Sequence, residues 1–296
     1  DVLRNGEPFA GGVHGINRSG YYANYNSGKR SLTLNLADER ARAVAFTLAT
    51  EWADVVAENF TPGNMEKWGL GYDAIRAKNP SVIMFSASML GRGGPFDSQP
   101  GFGPVLTALA GHTHFTGWPD RTPTSPYGAY TDFLIPHIAL AAIVAALDHR
   151  AKTGEGQHLD LSQLEASLYF VGTPMMDYSA NGRLTTRDGN RDPAMAPHAA
   201  YRCTGDDAWC TIACEDEGQW RALCAAMARP ALAEDPWFTT LDARKANEPA
   251  LDREVEAWTS GLTPDEVMRH CAAAGVPSGA VLSPEGLFSD PQLAHR

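Results

Sequence analysis

The residue best placed to do chemistry in this sequence is Asp132, which ends the stretch Pro126-Tyr-Gly-Ala-Tyr-Thr-Asp132. The apolar run Phe133–Leu147 follows directly and predicts a long helix with Pro136 in its first turn. Asp132 is then expected at or just before the helix N-terminus, where free N–H groups and the helix dipole favour an ionised carboxylate by about 0.3–1 kcal/mol. An ionised carboxylate is a usable nucleophile. The same position is also that of a plain helix cap.

Histidine and cysteine pairs elsewhere in the sequence give weaker signals for chemistry. His112 and His114 lie two positions apart and Cys210 and Cys214 four apart, but no partner residues stand at a matching metal-ligand spacing. The glycine-rich segment Gly91–Pro95 has neither a GxGxxG fingerprint nor a P-loop lysine. It is therefore as typical of a flexible turn as of a phosphate loop. We predict no metal site.

Asp132 has to be positioned by the elements around it, and these alternate between strands and helices. Alternating leucines predict a strand over 32–36, and Asp38 opens a helix behind it. Short apolar runs predict further strands at Val55–Ala57 and Val82–Ser86, and strands separated by helices imply a parallel sheet. Ligands of such sheets bind beyond the carboxyl ends of the strands. Glu58-Asn59-Phe60 and the loop after the last of these strands are therefore candidate binding segments.

The predicted fold class is α/β with two domains. Residues 1–178 are expected to form a large parallel-sheet domain, although residues 1–24 have no periodic pattern and are typical of a loop. Residues 179–198 are polar and indicate a linker. Residues 199–296 are expected to form a smaller α/β domain, which begins with a predicted hairpin over 200–213. Thr263-Pro264, as N-cap and first helical residue, predicts the start of a later helix in this domain.

Composition and charge exclude several classes of partner. The net charge is −11, from 24 basic and 35 acidic residues, and no basic cluster is longer than a pair, which argues against nucleic acid. The apolar run has fifteen residues, too few to span a bilayer, so we expect a buried helix and no membrane association. The five cysteines lie between Cys203 and Cys271, and no signal peptide is visible. Reduced thiols in the cytoplasm are therefore expected.

Several short motifs stand in a fixed order along the chain. They are Asn26-Ser-Gly-Lys-Arg-Ser31, Glu58-Asn-Phe-Thr-Pro-Gly63, Gly69-Leu-Gly-Tyr72, Asn79-Pro80, Gly94-Pro95, Thr116-Gly117, Asp132, His149-Arg-Ala-Lys-Thr-Gly-Glu-Gly-Gln157, Glu165-Ala166 and Ala274-Gly-Val-Pro277. In this order and at this spacing they resemble the family III CoA transferases, of the CaiB/BaiF or formyl-CoA transferase type. Each motif alone is weak, but the ordered set is specific and covers essentially the whole chain.

The resemblance implies that Asp132 is the nucleophile. Its carboxylate would attack an acyl-CoA thioester to give a mixed anhydride and free CoA thiolate, which then forms an aspartyl-CoA thioester. An acceptor carboxylic acid takes the CoA by the reverse steps. Coenzyme A and acyl-CoA are thus expected as substrates, and no cofactor is expected to stay bound. The residues implied to contact CoA are Leu34, Asn35, Asn59, Phe60, Thr61, Lys67, Pro100, Gly101, Phe102 and Gly103.

For two of these residues the sequence leaves a simpler role open. Lys67 is also explained as a solvated lysine on a helix surface, and Phe60 as a core residue. The resemblance further implies a Rossmann-like large domain and a ring-like chain that interlocks with a second copy in a homodimer. Relatives usually begin with another strand and end with a strand that returns to the large domain. We therefore expect either a portion of a longer protein or a short form that depends on a partner.

Two other functions stay open. The α-methylacyl-CoA racemases resemble this chain in fold but use a histidine and an aspartate as an acid and base pair on the two faces of an α-carbon. Phe102 stands at the position of that histidine, thirty residues before Asp132, and phenylalanine moves no proton. The second alternative is a CoA-binding module that has lost catalysis together with its termini. The intact Asp132 argues against such decay.

Overall fold

A computed structural model of the chain describes residues 2–296 and separates into two compact units. The first unit comprises the part up to Ala110 together with Tyr127–Gly172, and the second comprises Gly111–Pro126 together with Thr173–Arg296. Segment 111–126 thus groups with the C-terminal unit, whereas the sequence analysis places it in the large domain. The division of the chain into domains with a linker at 179–198 stays a prediction.

The helices and strands are numbered in chain order. The α-helices are α1 (Gly20–Tyr25), α2 (Glu39–Glu51), α3 (Asn64–Lys67), α4 (Tyr72–Arg76), α5 (Gly103–Leu109), α6 (His112–Phe115), α7 (Tyr130–Thr153), α8 (Gln163–Leu168), α9 (Gly172–Asn181), α10 (Glu217–Ala226), α11 (Leu241–Ala246), α12 (Glu248–Thr259), α13 (Pro264–Ala273), α14 (Pro284–Ser289) and α15 (Pro291–His295). The β-strands are β1 (Val55–Glu58), β2 (Ile83–Ser88), β3 (His158–Ser162), β4 (His198–Arg202), β5 (Trp209–Ala213) and β6 (Ser278–Ala280). Short 3₁₀ turns lie at Val2–Asn5, Ala10–Gly12, Tyr169–Val171 and Pro230–Glu234.

The first unit is built on a parallel sheet of three strands in the order β1-β2-β3, which confirms the predicted α/β architecture. Strand β2 is buried at every residue, as expected for the centre of a parallel sheet. Its flank Val82 packs in a cluster with Ala49 of α2, and its residue Phe85 packs with Ala139 of α7. Because neighbouring residues of a strand point to opposite faces, helices cover both faces of the sheet.

Helix α7 connects β2 to β3 and runs antiparallel to the strands. Near its C-terminus, Arg150 donates to the carboxylate of Asp54 at 2.9 Å and to the carbonyl oxygen of Asp54 at 3.1 Å, directly before β1 begins. The C-terminal end of α7 therefore lies at the amino edge of the sheet. The helix has 24 residues, about 36 Å, whereas β3 has five residues. Its N-terminus consequently lies toward the carboxyl edge, where ligands of parallel sheets bind.

Three expectations about the first unit are wrong. Residues 32–36 form no strand within the described residues 2–296, because an extended segment becomes a strand only through a hydrogen-bonded neighbour and β1 pairs with β2 alone. The N-terminal region, expected to be a loop, contains α1. Helix α7 is not a fully buried helix, since it packs along one side and leaves Leu140 62% and Val144 54% exposed in the single chain.

The apolar character of α7 also extends further than the sequence analysis allowed. With 24 residues and a mean hydropathy of 1.7 over its most apolar window, the helix passes a length and composition test for a membrane span, and 22% of that window is buried in the protein. The length argument from the fifteen-residue run is therefore wrong. One such helix is only weak evidence for a membrane span, because core helices of soluble proteins pass the same test.

The second unit is organised around an antiparallel sheet in the order β4-β5-β6. Strands β4 and β5 form the hairpin predicted over 200–213. The core beside them is continuous and includes the fully buried Trp220, Leu251 and Val255. Helix α13 begins with a complete capping box between Thr263 and Glu266, which confirms the predicted helix start.

Candidate active site

Asp132 is the third residue of α7, whose N-cap is Ala129. The helix begins at Tyr130, earlier than the apolar run indicates, so the interpretation of Asp132 as a plain cap is wrong. Pro136 lies inside the helix and not in its first turn. Because proline has no N–H group, the carbonyl oxygen of Asp132 lacks the donor that residue 136 would otherwise supply. The backbone of α7 therefore lacks one helical hydrogen bond at the candidate nucleophile.

Gly103, the first residue of α5, lies directly against the Asp132 carboxylate. A Cβ atom on residue 103 would stand 2.5 Å from Oδ2 of Asp132 and 2.5 Å from Cβ of Ala129. Both distances are well inside van der Waals contact, so the absence of a side chain at Gly103 is what lets α5 approach α7 this closely. The structure thereby brings one predicted site residue into contact with the predicted nucleophile.

Two buried threonines connect the first turns of α5 and α7 through their hydroxyl groups. The hydroxyl of Thr107 donates to the carbonyl oxygen of Gly103 at 2.8 Å. The hydroxyl of Thr131 lies 3.4 Å from the same oxygen and 3.4 Å from Oγ1 of Thr107. Both threonines have no exposed surface. Because Thr131 directly precedes Asp132, this contact fixes the backbone that carries the carboxylate.

Burial raises the pKa of the Asp132 carboxyl above its ordinary value. Among the contacts of residues 2–296, no ion pair or hydrogen bond to this carboxylate offsets the effect. Desolvation causes this shift, which opposes the stabilisation of the ionised form that the helix N-terminus is expected to give. A carboxylate that is partly desolvated and unpaired keeps its oxygen lone pairs available for attack on an electrophilic carbon.

Tyrosines of α1 lie close to the carboxylate, and the sequence analysis missed them. The pKa of Tyr21 is raised by burial and then by the negative charges of Tyr25 and Asp132. The ring of Tyr25 stacks on Phe133, with centroids 5.7 Å apart and planes 4° from parallel. Tyr21 and Tyr25 are four residues apart, a spacing that places both side chains on one face of a helix. This spacing is the sequence signal that could have indicated them.

Part of the predicted CoA site lies at the carboxyl edge of the sheet, as expected. The segment Asn59-Phe60-Thr61 follows β1, and the carboxylate of Glu58 accepts a hydrogen bond from the backbone N–H of Phe60 at 2.8 Å. Phe60 is 43% exposed and meets the ring of Trp68 edge-on at 5.0 Å, so its interpretation as a core residue is wrong. Lys67 is the exposed last residue of α3, in agreement with either of its interpretations.

The other predicted contacts lie on two further segments of the first unit. Leu34 is half-buried and Asn35 exposed on the extended segment before α2. Pro100, Gly101 and Phe102 are exposed on the segment that leads into α5. The roles of all these residues in CoA binding stay predictions.

The histidine and cysteine pairs noted in the sequence lie in the second unit. His112 is a buried residue at the start of α6. All five cysteines are free and buried, and burial raises the pKa of the Cys214 thiol to about 12. No group of three or more potential metal-binding side chains occurs within residues 2–296. The lack of a metal site nevertheless stays a prediction.

The fold and the site define a mixed α/β protein with a desolvated carboxylate at the start of a long helix. Over residues 1–296 the chain matches the family described as CoA-transferase family III. It is 34% identical over 268 residues to the succinyl-CoA–D-citramalate CoA-transferase of Chloroflexus aurantiacus, covering 90% of this chain and 66% of that protein. It is 33% identical over 302 residues to the succinyl-CoA:mesaconate CoA-transferase of Haloarcula marismortui, covering 100% of this chain and 74% of that protein.

A solved structure is similar as well. The crystal structure of a CaiB/BaiF family protein from Brucella suis matches with a TM-score of 0.90 and 33% identity, covering 100% of this chain and 78% of that one. The chain belongs to CoA-transferase family III, which confirms the resemblance drawn from the motifs. It spans between 66% and 74% of the length of the two curated relatives above.

Proposed function

We propose that this chain transfers CoA from an acyl-CoA donor to a carboxylic acid acceptor, with Asp132 as the covalent nucleophile. Family membership supports the reaction class, and the curated relatives are named as CoA-transferases. The observation that carries the mechanism is the state of the Asp132 carboxylate. It is partly desolvated and unpaired, and it lies at the carboxyl edge of a parallel sheet.

In the first step, an oxygen of Asp132 attacks the carbonyl carbon of the acyl thioester. A C–O bond forms, the C–S bond breaks, and its electron pair leaves with the CoA thiolate, which gives a mixed anhydride. The thiolate then attacks Cγ of Asp132 and releases the donor acid as its carboxylate, which leaves an aspartyl-CoA thioester. An acceptor carboxylate repeats the two steps in reverse, so no net proton is transferred. Covalent catalysis of this kind divides one difficult transfer into easier ones.

The CoA moiety is assigned to the segments at the sheet edge. Lys67 would pair with CoA phosphates as a point charge, and its exposure leaves its ammonium group accessible. Leu34, Asn35 and Asn59-Phe60-Thr61 would contact the nucleotide end, and Pro100–Gly103 would lie nearer the thioester, because Gly103 touches Asp132. Coenzyme A is a substrate in this proposal, and no permanently bound cofactor is required.

Asp132→Asn tests the proposal in a transferase assay. The purified protein is incubated with acyl-CoA donors, including succinyl-CoA, and a panel of carboxylic acids, and new CoA esters are measured by liquid chromatography. We expect transfer by the wild type and a loss of at least about a thousandfold in kcat for the variant, because the covalent route is removed. Binding of CoA should be unchanged in the variant, since Asp132 is not assigned to the nucleotide. Equal turnover by both proteins would contradict the role of Asp132.

The racemase alternative has less support. Phe102, at the position of the racemase histidine, is 81% exposed and carries no proton that it could exchange. A racemase would incorporate deuterium from D₂O at the α-carbon of a 2-methylacyl-CoA without an acceptor acid, whereas the transferase would not. A CoA-binding module would bind CoA without either reaction.

Further properties of the whole protein are also proposals. The resemblance supports a homodimer of interlocked ring-like chains. The five free cysteines support a location in the cytoplasm. The charge balance supports the expectation that nucleic acid is not a partner. We keep the expectation that a membrane is not a partner, because one apolar helix is weak evidence for a span. Sedimentation of the purified protein tests the dimer, because a monomer at micromolar concentration would contradict it.

A further inference from the structure

Arg92 lies between two carboxylates at the carboxyl edge of the sheet. It lies in the loop after β2, and its side chain is 20% exposed. Nη1 stands 3.6 Å from Oε1 of Glu58, whose side chain is 4% exposed, and Nη2 forms a short ion pair with Glu66, whose side chain is 48% exposed. The planar, forked guanidinium suits such a bridge between two acceptors.

The two carboxylates belong to the two segments assigned to CoA. Glu58 is the last residue of β1, and its second oxygen accepts the backbone N–H of Phe60 at 2.8 Å, which shapes the turn containing Asn59. Glu66 lies in α3, directly before Lys67. Arg92 therefore joins the loop that carries Asn59 to the helix that carries Lys67.

Arg92 supplies the positive charge between Glu58 and Glu66, and the neighbouring His158 does not share this role. His158 at the start of β3 has its pKa lowered by burial and by the charge of Arg92, against the opposing charges of Asp160, Glu66 and Glu58. Its Nε2 lies 3.0 Å from Oγ of the buried Ser86. A neutral His158 contributes no cation that would compete for the two carboxylates, so the bridge depends on Arg92.

We propose that Arg92 is a positioning residue for CoA binding, which holds Glu58–Thr61 and α3 in one arrangement so that both segments meet the same CoA molecule. The inference rests on the proposed function. Arg92 acts through Glu58 and Glu66 and touches no reacting atom. A ligand that contacts two independent segments binds more weakly when they are not held together, because binding then has to order them.

Arg92→Gln tests this role through CoA affinity, measured by isothermal titration calorimetry, and through steady-state kinetics. We expect the Kd for CoA and the KM for the acyl-CoA donor to rise by about tenfold or more, with kcat at saturation within about twofold of wild type. Arg92→Lys should have a Kd for CoA between those of the wild type and Arg92→Gln, because a single ammonium group cannot bridge two carboxylates as the forked guanidinium does. Arg76→Gln, which removes the same charge from the exposed surface of α4, should leave Kd unchanged.

A double variant separates positioning from stability. Arg92→Gln alone leaves the buried Glu58 uncompensated and should lower Tm, whereas Arg92→Gln with Glu58→Gln removes both charges and should recover Tm. A Kd that stays high in the double variant supports positioning, and a Kd that returns to the wild-type value would overturn it. If wild type binds CoA and Arg92→Gln binds equally well, the inference fails while the proposed function stands. If wild type binds no CoA, both fail.

Discussion

Replacing Gly103 by alanine perturbs the contact between α5 and the Asp132 carboxylate by a single methyl group. The added Cβ would lie 2.5 Å from Oδ2 of Asp132, 2.5 Å from Cβ of Ala129 and 3.1 Å from Cα of Ala129. Ordinary contacts begin at 3.4 Å, so the nearest atoms must move by about 0.9 Å. The carboxylate is the end of a side chain and can rotate away, but Ala129 is the N-cap of α7 and can move only with the backbone.

Two magnitudes follow from this displacement. Overpacking by one methyl group in a closely packed site lowers the free energy of unfolding by about 1–3 kcal/mol. A shift of about 1 Å in a reacting group lowers the rate by about a hundredfold. We therefore expect Gly103→Ala to lower the free energy of unfolding in urea by about 1–3 kcal/mol. It should also lower kcat by about a hundredfold, with a smaller change in CoA affinity.

Gly172 supplies a matched control. It has a helical backbone, with φ −60° and ψ −39°, and a Cβ there would meet nothing within 4 Å. Gly172→Ala should therefore leave kcat unchanged. It should raise the free energy of unfolding by about 0.4–1 kcal/mol, because alanine restricts the unfolded chain. Gly103→Ala with wild-type stability and wild-type kcat would refute the close approach of α5 to the carboxylate.

The remaining predictions concern the threonine contact, the buried charge, a second close approach and the cysteines. Thr131→Val should lower the free energy of unfolding by about 1 kcal/mol and reduce kcat, and Thr131→Ser should recover both, because the serine keeps the hydroxyl. Asp132→Asn should be more stable than wild type at neutral pH. Burial raises the pKa of Asp132 in the folded protein, so wild-type stability falls as pH rises above the ordinary pKa of the carboxyl. The stability difference between variant and wild type should vanish in acid, where the carboxyl is neutral in both the folded and the unfolded state. A stability difference that is independent of pH would contradict this. Gly156→Ala should lower the free energy of unfolding in urea by about 3 kcal/mol, because its Cβ would overlap the carbonyl oxygen of Val82. A wild-type unfolding midpoint would contradict this packing. Thiol reagents should label the five buried cysteines only after unfolding, and rapid labelling of Cys214 in the native protein would contradict its burial.

Much of the fold follows from local signals in the sequence. Asp38 caps α2 through its side chain, and Thr263 caps α13, at the residues where the sequence predicts both helix starts. The strands β1 and β2 lie at short apolar runs, and β3 alternates Leu159 and Leu161 with polar residues. Their parallel pairing follows from the helices between them. Such features depend on neighbours in sequence, which is why they are predictable.

The features that were missed depend on contacts distant in sequence. Leu32, Leu34 and Leu36 alternate as a strand would, but whether they pair depends on another segment that lies beside them. Helix α7 begins at Tyr130, and its second residue, Thr131, is buried against α5, which the polar character of threonine does not indicate. The approach of Gly103 to Asp132 joins residues that only the folded chain brings together.

The central claim is that Asp132 becomes covalently acylated, and trapping of the intermediate tests it most directly. The protein is incubated with a panel of acyl-CoAs, quenched with hydroxylamine or borohydride, and digested, and the peptide that contains Asp132 is examined by mass spectrometry. We predict the hydroxamate or the reduced alcohol at Asp132 with productive donors, and neither product in Asp132→Asn. A wild-type protein that binds CoA and turns over its donor, yet gives an unmodified Asp132 with every donor, would contradict the covalent mechanism.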